Sequence, residues 1–248
     1  MPTISIVMPC HNGARYLNES VSSVLSQTYT DWELLIIDDN STDDSVSIIK
    51  KFCLKDFRIK FFQTEKSTGK PATPRNVGIK NATGRFISFL DCDDKWLPSK
   101  LELQISLFDE RTSVIFSYYK KMNENSVEGS NIISSPDTVM YKNLLNGNCI
   151  GNLTALYDTQ KVGKVFQRDT HHEDYIMWLE ILKKGYQAKN TRTVEAIYRE
   201  NKNSTSGNKI SAFKWTWNIY RKELKLNIFS SLYHFIIYSV KAVIKFVK

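Results

Sequence analysis

The sequence predicts an α/β fold: a mostly parallel central sheet flanked by helices, followed by a helical C-terminal tail. Two observations carry this. Over the first hundred residues short β-rich runs alternate with amphipathic helical segments, and two of those runs end in acidic clusters. "TISIVMP" (3–9) and "WELLIID" (32–38) read as the first two strands. Between them Leu17, Val21, Val24 and Leu25 share one face of a helix over 16–27, completing a β-α-β unit. After the second strand, Ser41 or Thr42 is placed to cap a helix with an acidic first turn and an apolar face of Val46, Ile49 and Phe52. "IKFFQ" (59–63) is a third strand, residues 73–82 a short helix, and "RFISFL" (85–90) a fourth strand. A further helix begins within "KWLPSKLELQISLF" (95–108).

At 248 residues the chain has room for one large domain or two small ones, and 42% hydrophobic residues suffice for a sizeable core. The net charge of +8 is concentrated at one end. From residue 208 onward eight Lys or Arg face only Glu223, so residues 1–207 carry about +1. A basic tail on a near-neutral body does not read as a nucleic-acid surface. Cys10, Cys53, Cys92 and Cys149 show no CxxC spacing, and the N-terminus lacks the charged start and apolar run of a signal peptide. The expectation is a reducing, cytoplasmic setting, in which the N-x-S/T triplets at Asn40, Asn81, Asn152 and Asn203 are chance.

The acidic clusters are the first functional signal. Asp38-Asp39 follows one strand and Asp91-Cys92-Asp93-Asp94 another, so both fall on the rim where the sheet's strands end, the place where ligands of open α/β sheets bind. Aspartate is common in loops and caps, which accounts for either cluster alone. Two clusters on one rim repel each other unless a cation or a ligand's donors intervene. Oxygen-only ligands favour Mg²⁺ or Mn²⁺ over zinc.

"SIVMPCHNGARYLNESVSSVLSQTYTDWELLIIDDNSTDDS" followed by "PRNVGIKNATGRFISFLDCDDKWLP" resembles the family 2 inverting glycosyltransferases with the nucleotide-sugar-binding GT-A fold. The likeness is specific over residues 3–100 and looser to 207, through "HHEDYIMWLEILKKG" and "YRENKNSTS". It implies that Asp39 reads the uracil N3–H with Asp38 in support. It implies that His11 stands where an aromatic usually stacks on uracil, and that Arg75 of "PRN" lines the nucleotide pocket rather than being a solvated helix charge. It makes Asp91 and Asp93 the ends of a DxD motif: Asp93 a ligand to Mn²⁺ or Mg²⁺, Asp91 near both ribose and metal. Asp94 is then expected to cap the following turn or helix, and Cys92 to be inert.

Inverting transfer needs a base for the acceptor hydroxyl. In "DTHHEDYIMWLEIL" (169–182) the Thr170-x-x-Glu173 spacing is that of a capping box, which leaves Asp174 free. The family's Glu-Asp pair points the same way, with Asp174 the base and Glu173 its understudy. Trp178 is either a surface for an acceptor sugar or a core aromatic. His171 and His172 do not make a zinc site, since chain neighbours cannot easily share an ion and no further Cys or His is near in sequence. The polar stretch 201–209 includes Lys202 and Ser204, which by analogy touch phosphate unless the segment is disordered.

The tail alternates faces. Asn227, Ser231, His234, Tyr238, Lys241, Lys245 and Lys248 recur opposite Ile228, Phe229, Leu232, Phe235, Ile236, Val243, Ile244 and Val247, too short an apolar run to span a membrane. The helix reads as lying on the anionic inner face of the cell membrane, with Trp215, Trp217 and Tyr220 as anchors, or as packed on the domain with its lysines solvated. The expected organisation is a catalytic domain over 1–207, with a nucleotide-binding half (1–100) and an acceptor half (101–207), and a basic helical region over 208–248. The expected activity is metal-dependent inverting transfer of galactose or glucose from a UDP-sugar donor to a saccharide on a lipid carrier, undecaprenyl diphosphate, in O-antigen or capsule assembly. The competing readings are a non-catalytic scaffold of the same fold and another Mg²⁺ enzyme. A nucleotidyltransferase would want a Gly-rich basic loop that "MPCHNGARY" does not supply, and an aspartyl-phosphate phosphatase its Asp-x-Asp after the first strand.

Overall fold

The computed structural model describes residues 2–200 and 209–247, the latter with side chains for 213–242; Lys202 and Ser204 lie outside the described residues. The chain runs β1 (Ile4–Cys10), α1 (Leu17–Leu25), β2 (Trp32–Asp38), α2 (Ser45–Lys55), β3 (Ile59–Gln63), α3 (Ala72–Asn81), β4 (Phe86–Phe89), β5 (Lys95–Trp96) and α4 (Lys100–Ser106). It continues with β6 (Thr112–Met122), β7 (Glu128–Ile133), β8 (Thr138–Val139), α5 (Tyr141–Leu144), a 3₁₀ turn (Asn152–Thr154), β9 (Leu156–Asp158), α6 (Thr159–Val162), α7 (Glu173–Leu182) and β10 (Gln187–Arg199). Last come α8 (Lys209–Asn218), a π-helical turn (Ile219–Glu223) and α9 (Ile228–Val247).

One sheet organises the molecule, in the order β3-β2-β1-β4-β9-β6-β10-β5, with β7 on β6 and β8 on β10. The first four strands are parallel; β9 enters antiparallel between β4 and β6, which restores the direction for the β6–β10 pair. Every residue of β1 and β2 is buried, as expected of parallel strands covered on both faces. Their alternating side chains feed two cores: Ile4, Ile6, Met8, Leu34 and Ile36 pack towards α1 and α2, whereas Val7, Leu35 and Ile37 pack towards α3 and α7. Gly78 of α3 lets that helix sit on the sheet, since a Cβ there would stand 2.4 Å from Val7 Cγ1.

Three local expectations are corrected, and one open reading, that of Trp178, is decided. Ser41 and Thr42 do not cap α2; the Asp43 carboxylate accepts the Ser45 N–H (3.0 Å), and Ser41 Oγ accepts the Asn12 N–H instead. The Thr170–Glu173 box does not form, because His172, left-handed at φ 59°, precedes α7 and Glu173 turns to Arg75. Asp94 caps no helix: it is buried and accepts the Arg199 N–H at 2.7 Å, tying the DxD turn to the end of β10. Trp178 is core, edge-on to Phe89 and Tyr157.

The tail brings a fourth correction. Tyr220 is buried with its hydroxyl on the Leu145 carbonyl, Trp217 packs on Phe235, and Trp215 stacks on His171, so none of the three anchors stands on the outer surface of α9. In α9 the polar positions Ser231, His234 and Tyr238 face inward, with His234 on Asn146 and Tyr238 against Gly147. Phe229, Tyr233, Ile236 and Val240 are exposed on the outside. No described helix is long and apolar enough to cross a membrane.

Candidate active site

A cavity of about 520 Å³ opens at the carboxyl ends of β1 and β4, lined among others by His11, Asp39, Arg75, Asp91, Asp93, Glu173 and Asp174. Seven of the eight residues singled out in the sequence therefore meet in one place. Strand register explains the rim: Cys10 of β1 lies opposite Asp38 of β2, and Asp38 opposite Gln63 of β3, so the chain leaves all three strands at one level.

The eighth, Asp38, stays behind the lining. It is fully buried and accepts the Ser41 N–H and the Gln63 side-chain amide through Oδ2, which shapes the loop that carries Asp39. Asp39 itself is buried and accepts three bonds, from Thr64 Oγ1 (2.7 Å), Ser67 Oγ (3.1 Å) and the Thr68 N–H (3.2 Å). A carboxylate has about four acceptor sites, so one remains for a ligand. His11 stands over it with Nδ1 at 2.9 Å from the Asp39 carbonyl oxygen.

Arg75 is the hub. It projects from α3 into the cavity wall, only 5% exposed, and donates to both Asp91 oxygens (2.7 and 3.0 Å) and to Glu173 (2.8 Å). Burial disfavours its charge, but Asp91, Glu173 and Asp174 more than offset this and raise its pKa further. The bidentate fork that a guanidinium offers is thus spent on the protein's own carboxylates, joining the end of β4 to the start of α7. On the DxD turn, burial and the charges of Asp93 and Asp91 push the Asp94 carboxyl well above the usual range. Cys92 and Cys10 put their sulfurs together beside Gly13, where a Cβ would lie 2.6 and 3.1 Å from them.

Asp174 differs from its neighbours. It accepts the Asn148 side-chain amide at 3.1 Å, and burial together with the adjacent Glu173 charge lifts its pKa to about 6. A carboxylate raised to that value is poised to accept a proton near neutrality. Glu173 has its Oε1 on Arg75, so the geometry sets it as a holder of Arg75 beside Asp174. Sequence reasoning missed Asn148, Asn152, Lys70 and Tyr198, which border the cavity or Asp174 from loops and from β10. Asn152 and Tyr198 lie in stretches that gave them no role at the site, Asn148 and Lys70 in no motif, and only the tertiary fold brings the four in.

Residues 5–157 match the family model for glycosyl transferase family 2. The chain belongs to this family. It is 34% identical over 98% of its length to TuaG of Bacillus subtilis, a glycosyltransferase named for teichuronic acid biosynthesis, and covers 97% of that protein. It is 38% identical over 87% of its length, and 84% of the relative's, to WfgD of Escherichia coli, named UDP-Glc:alpha-D-GlcNAc-diphosphoundecaprenol beta-1,3-glucosyltransferase. Among solved structures, S. aureus TarS 1–349 in complex with UDP-GlcNAc superposes with a TM-score of 0.74 at 20% identity, covering 95% of this chain and 70% of that one. The fold is of the GT-A type, and the chain is a glycosyltransferase of family 2.

Proposed function

We propose that this glycosyltransferase moves glucose or galactose from a UDP-sugar, with inversion, to a saccharide carried on a lipid diphosphate such as undecaprenyl diphosphate, in assembly of a bacterial surface polysaccharide. One observation carries the reading. Of the cavity's carboxylates Asp91 and Glu173 are tied to Arg75 by hydrogen-bonded ion pairs and Asp39 to three donors, whereas Asp174 accepts hydrogen bonds from neutral donors only and has a raised pKa. Asp174 is the base that takes the acceptor's proton as the hydroxyl attacks the anomeric carbon from the face opposite the departing diphosphate. Glu173 and Arg75 hold it in place. His11 and the remaining acceptor site of Asp39 receive the uracil, with Asp38 bracing the loop.

Asp91 and Asp93 would hold Mg²⁺ or Mn²⁺, and the donor set fits: it is all oxygen, and the charge pressing on Asp94 shows a local negative excess. Among the described residues no three Asp, Glu, His or Cys side chains form a metal site, and the ion's other ligands would come from a diphosphate and water. When bound, such an ion would neutralise the leaving diphosphate.

The UDP donor and the lipid-linked acceptor follow the names of the relatives. The outer face of α9 extends the reading to the membrane: Phe229, Tyr233, Ile236 and Val240 would rest in the inner leaflet, with Arg221, Lys222, Lys225 and Lys241 near anionic headgroups. This divides the chain into a cytoplasmic catalytic domain (1–207) and a peripheral membrane-binding region (208–248).

The test is transfer from UDP-glucose, UDP-galactose and UDP-GlcNAc with Mn²⁺ to an α-GlcNAc-diphospholipid. Glucose or galactose transfer with inverted configuration is expected; no UDP release from any donor would sink the proposal.

A further inference from the structure

A second cavity, of about 470 Å³, adjoins the first and shares Glu173 and Asp174 with it. Its aromatic wall is Trp215 of α8, whose indole lies flat on the His171 imidazole, ring centroids 3.9 Å apart at 17°. His172 meets the same indole edge-on at 5.4 Å. The left-handed backbone at His172 makes this possible: it interrupts the path into α7, so that His171 lies under Trp215 while Glu173 turns to Arg75. Across the mouth, Lys70 and Asp169 form an exposed ion pair at 3.0 Å.

A pyranose ring suits these surroundings. Its C–H faces stack on flat aromatic rings, while its equatorial hydroxyls seek charged and polar groups at the edge, here Lys70, Asp169 and Thr170. The position is also demanding. On the transferase reading the nucleotide fills the first cavity, so a second sugar must bring its hydroxyl to Asp174 from elsewhere, and this cavity is lined by that carboxylate.

We infer that the stacked His171 and Trp215 form the subsite for the acceptor sugar and position its hydroxyl at Asp174. The inference rests on the transferase reading above and assigns a residue pair to one of its substrates. It also gives α8 a purpose: the helix that bears Trp215 packs Phe213 and Trp217 against α9.

The test uses the full chain with UDP-glucose, Mn²⁺ and an α-GlcNAc-diphospholipid, and follows acceptor KM, donor KM and UDP release without acceptor. Trp215→Ala should raise acceptor KM about tenfold, the scale of one lost aromatic contact, and leave donor KM and acceptor-free UDP release unchanged. Trp215→Tyr should recover most of the loss, and His171→Ala should move acceptor KM in the same direction by less. Should Trp215→Ala fail to fold, His171→Ala, at an exposed ring, decides the matter alone. Unchanged acceptor KM in the folded variants, or a parallel rise in donor KM, would overturn the inference. So would an unsubstituted protein that releases UDP yet does not bind the diphospholipid. An unsubstituted protein that fails to bind UDP would instead overturn the donor reading, and this subsite with it.

Discussion

The rim of β1, β2 and β4 and the start of α7 hold carboxylates in opposite ways. On the rim, three neutral donors hold Asp39 and the Arg75 Nη2 donates to both oxygens of Asp91, so their oxygens are engaged before any ligand arrives. At α7, Asp174 is left with an amide and a backbone N–H, and its charged form is disfavoured by burial. The first arrangement suits fixed recognition of a ligand. The second suits a group that must change protonation, and it does so at a cost in stability.

The largest effect should come from cutting the link between the two regions. Arg75→Met leaves Asp91 and Glu173 without their shared cation; because both retain some solvent, a loss of about 3 kcal/mol in chemical denaturation is expected, near the lower end for a broken buried pair. A loss below about 1 kcal/mol would show that the regions are held by packing alone. A purely structural contrast is Gly78→Ala, whose Cβ would meet Val7 and Ile37; about 1–3 kcal/mol of destabilisation with unchanged substrate KM is expected. Lost activity in a folded Gly78→Ala protein would mean the rim is sensitive to any shift of α3.

Asp174→Asn reads the cost at α7 directly. Because the folded protein raises the pKa of Asp174 to about 6 from 3.8, its carboxyl favours the fold fully at pH below 3.8, and this contribution is lost as pH rises through 6. The asparagine variant should therefore melt higher than the parent at pH 8 and lose that advantage near pH 4. An equal or lower Tm at pH 8 would contradict the assigned strain. The smallest effect belongs to Asn148→Ala. Removing the amide that favours the charged form should move the acidic limb of the rate profile to higher pH, with little change in its plateau.

The gathering of the acidic clusters on one rim was legible because they are local to strand ends. A run of buried residues followed by Asp is visible in one dimension, and the parallel sheet then gathers such ends on one rim. Asp94 was misread for the same reason: its partner, the Arg199 N–H, is 105 residues away, and local spacing suggested a cap. Glu173 was given to a capping box by spacing, yet the Arg75 guanidinium from α3 is the stronger partner. In α9 periodicity separated two faces but did not say which one meets the body. The polar face turns inward because Asn146 and the Gly147 turn offer partners to His234 and Tyr238. Of the two readings of Trp178 the core one holds, and the aromatic that shares a cavity with Asp174 comes from another helix, which local spacing could not indicate.

The central claim is that Asp174 acts on the acceptor's proton and the rim acts on the donor. Asp174→Asn, assayed for transfer by UDP release and for UDP affinity by calorimetry with Mn²⁺, tests it most directly. Transfer should fall by about 10²–10⁴-fold, the worth of a general base, while UDP binds as it does to the parent protein. Transfer at near-parental rate, or UDP binding lost together with transfer, would contradict the division between the two regions.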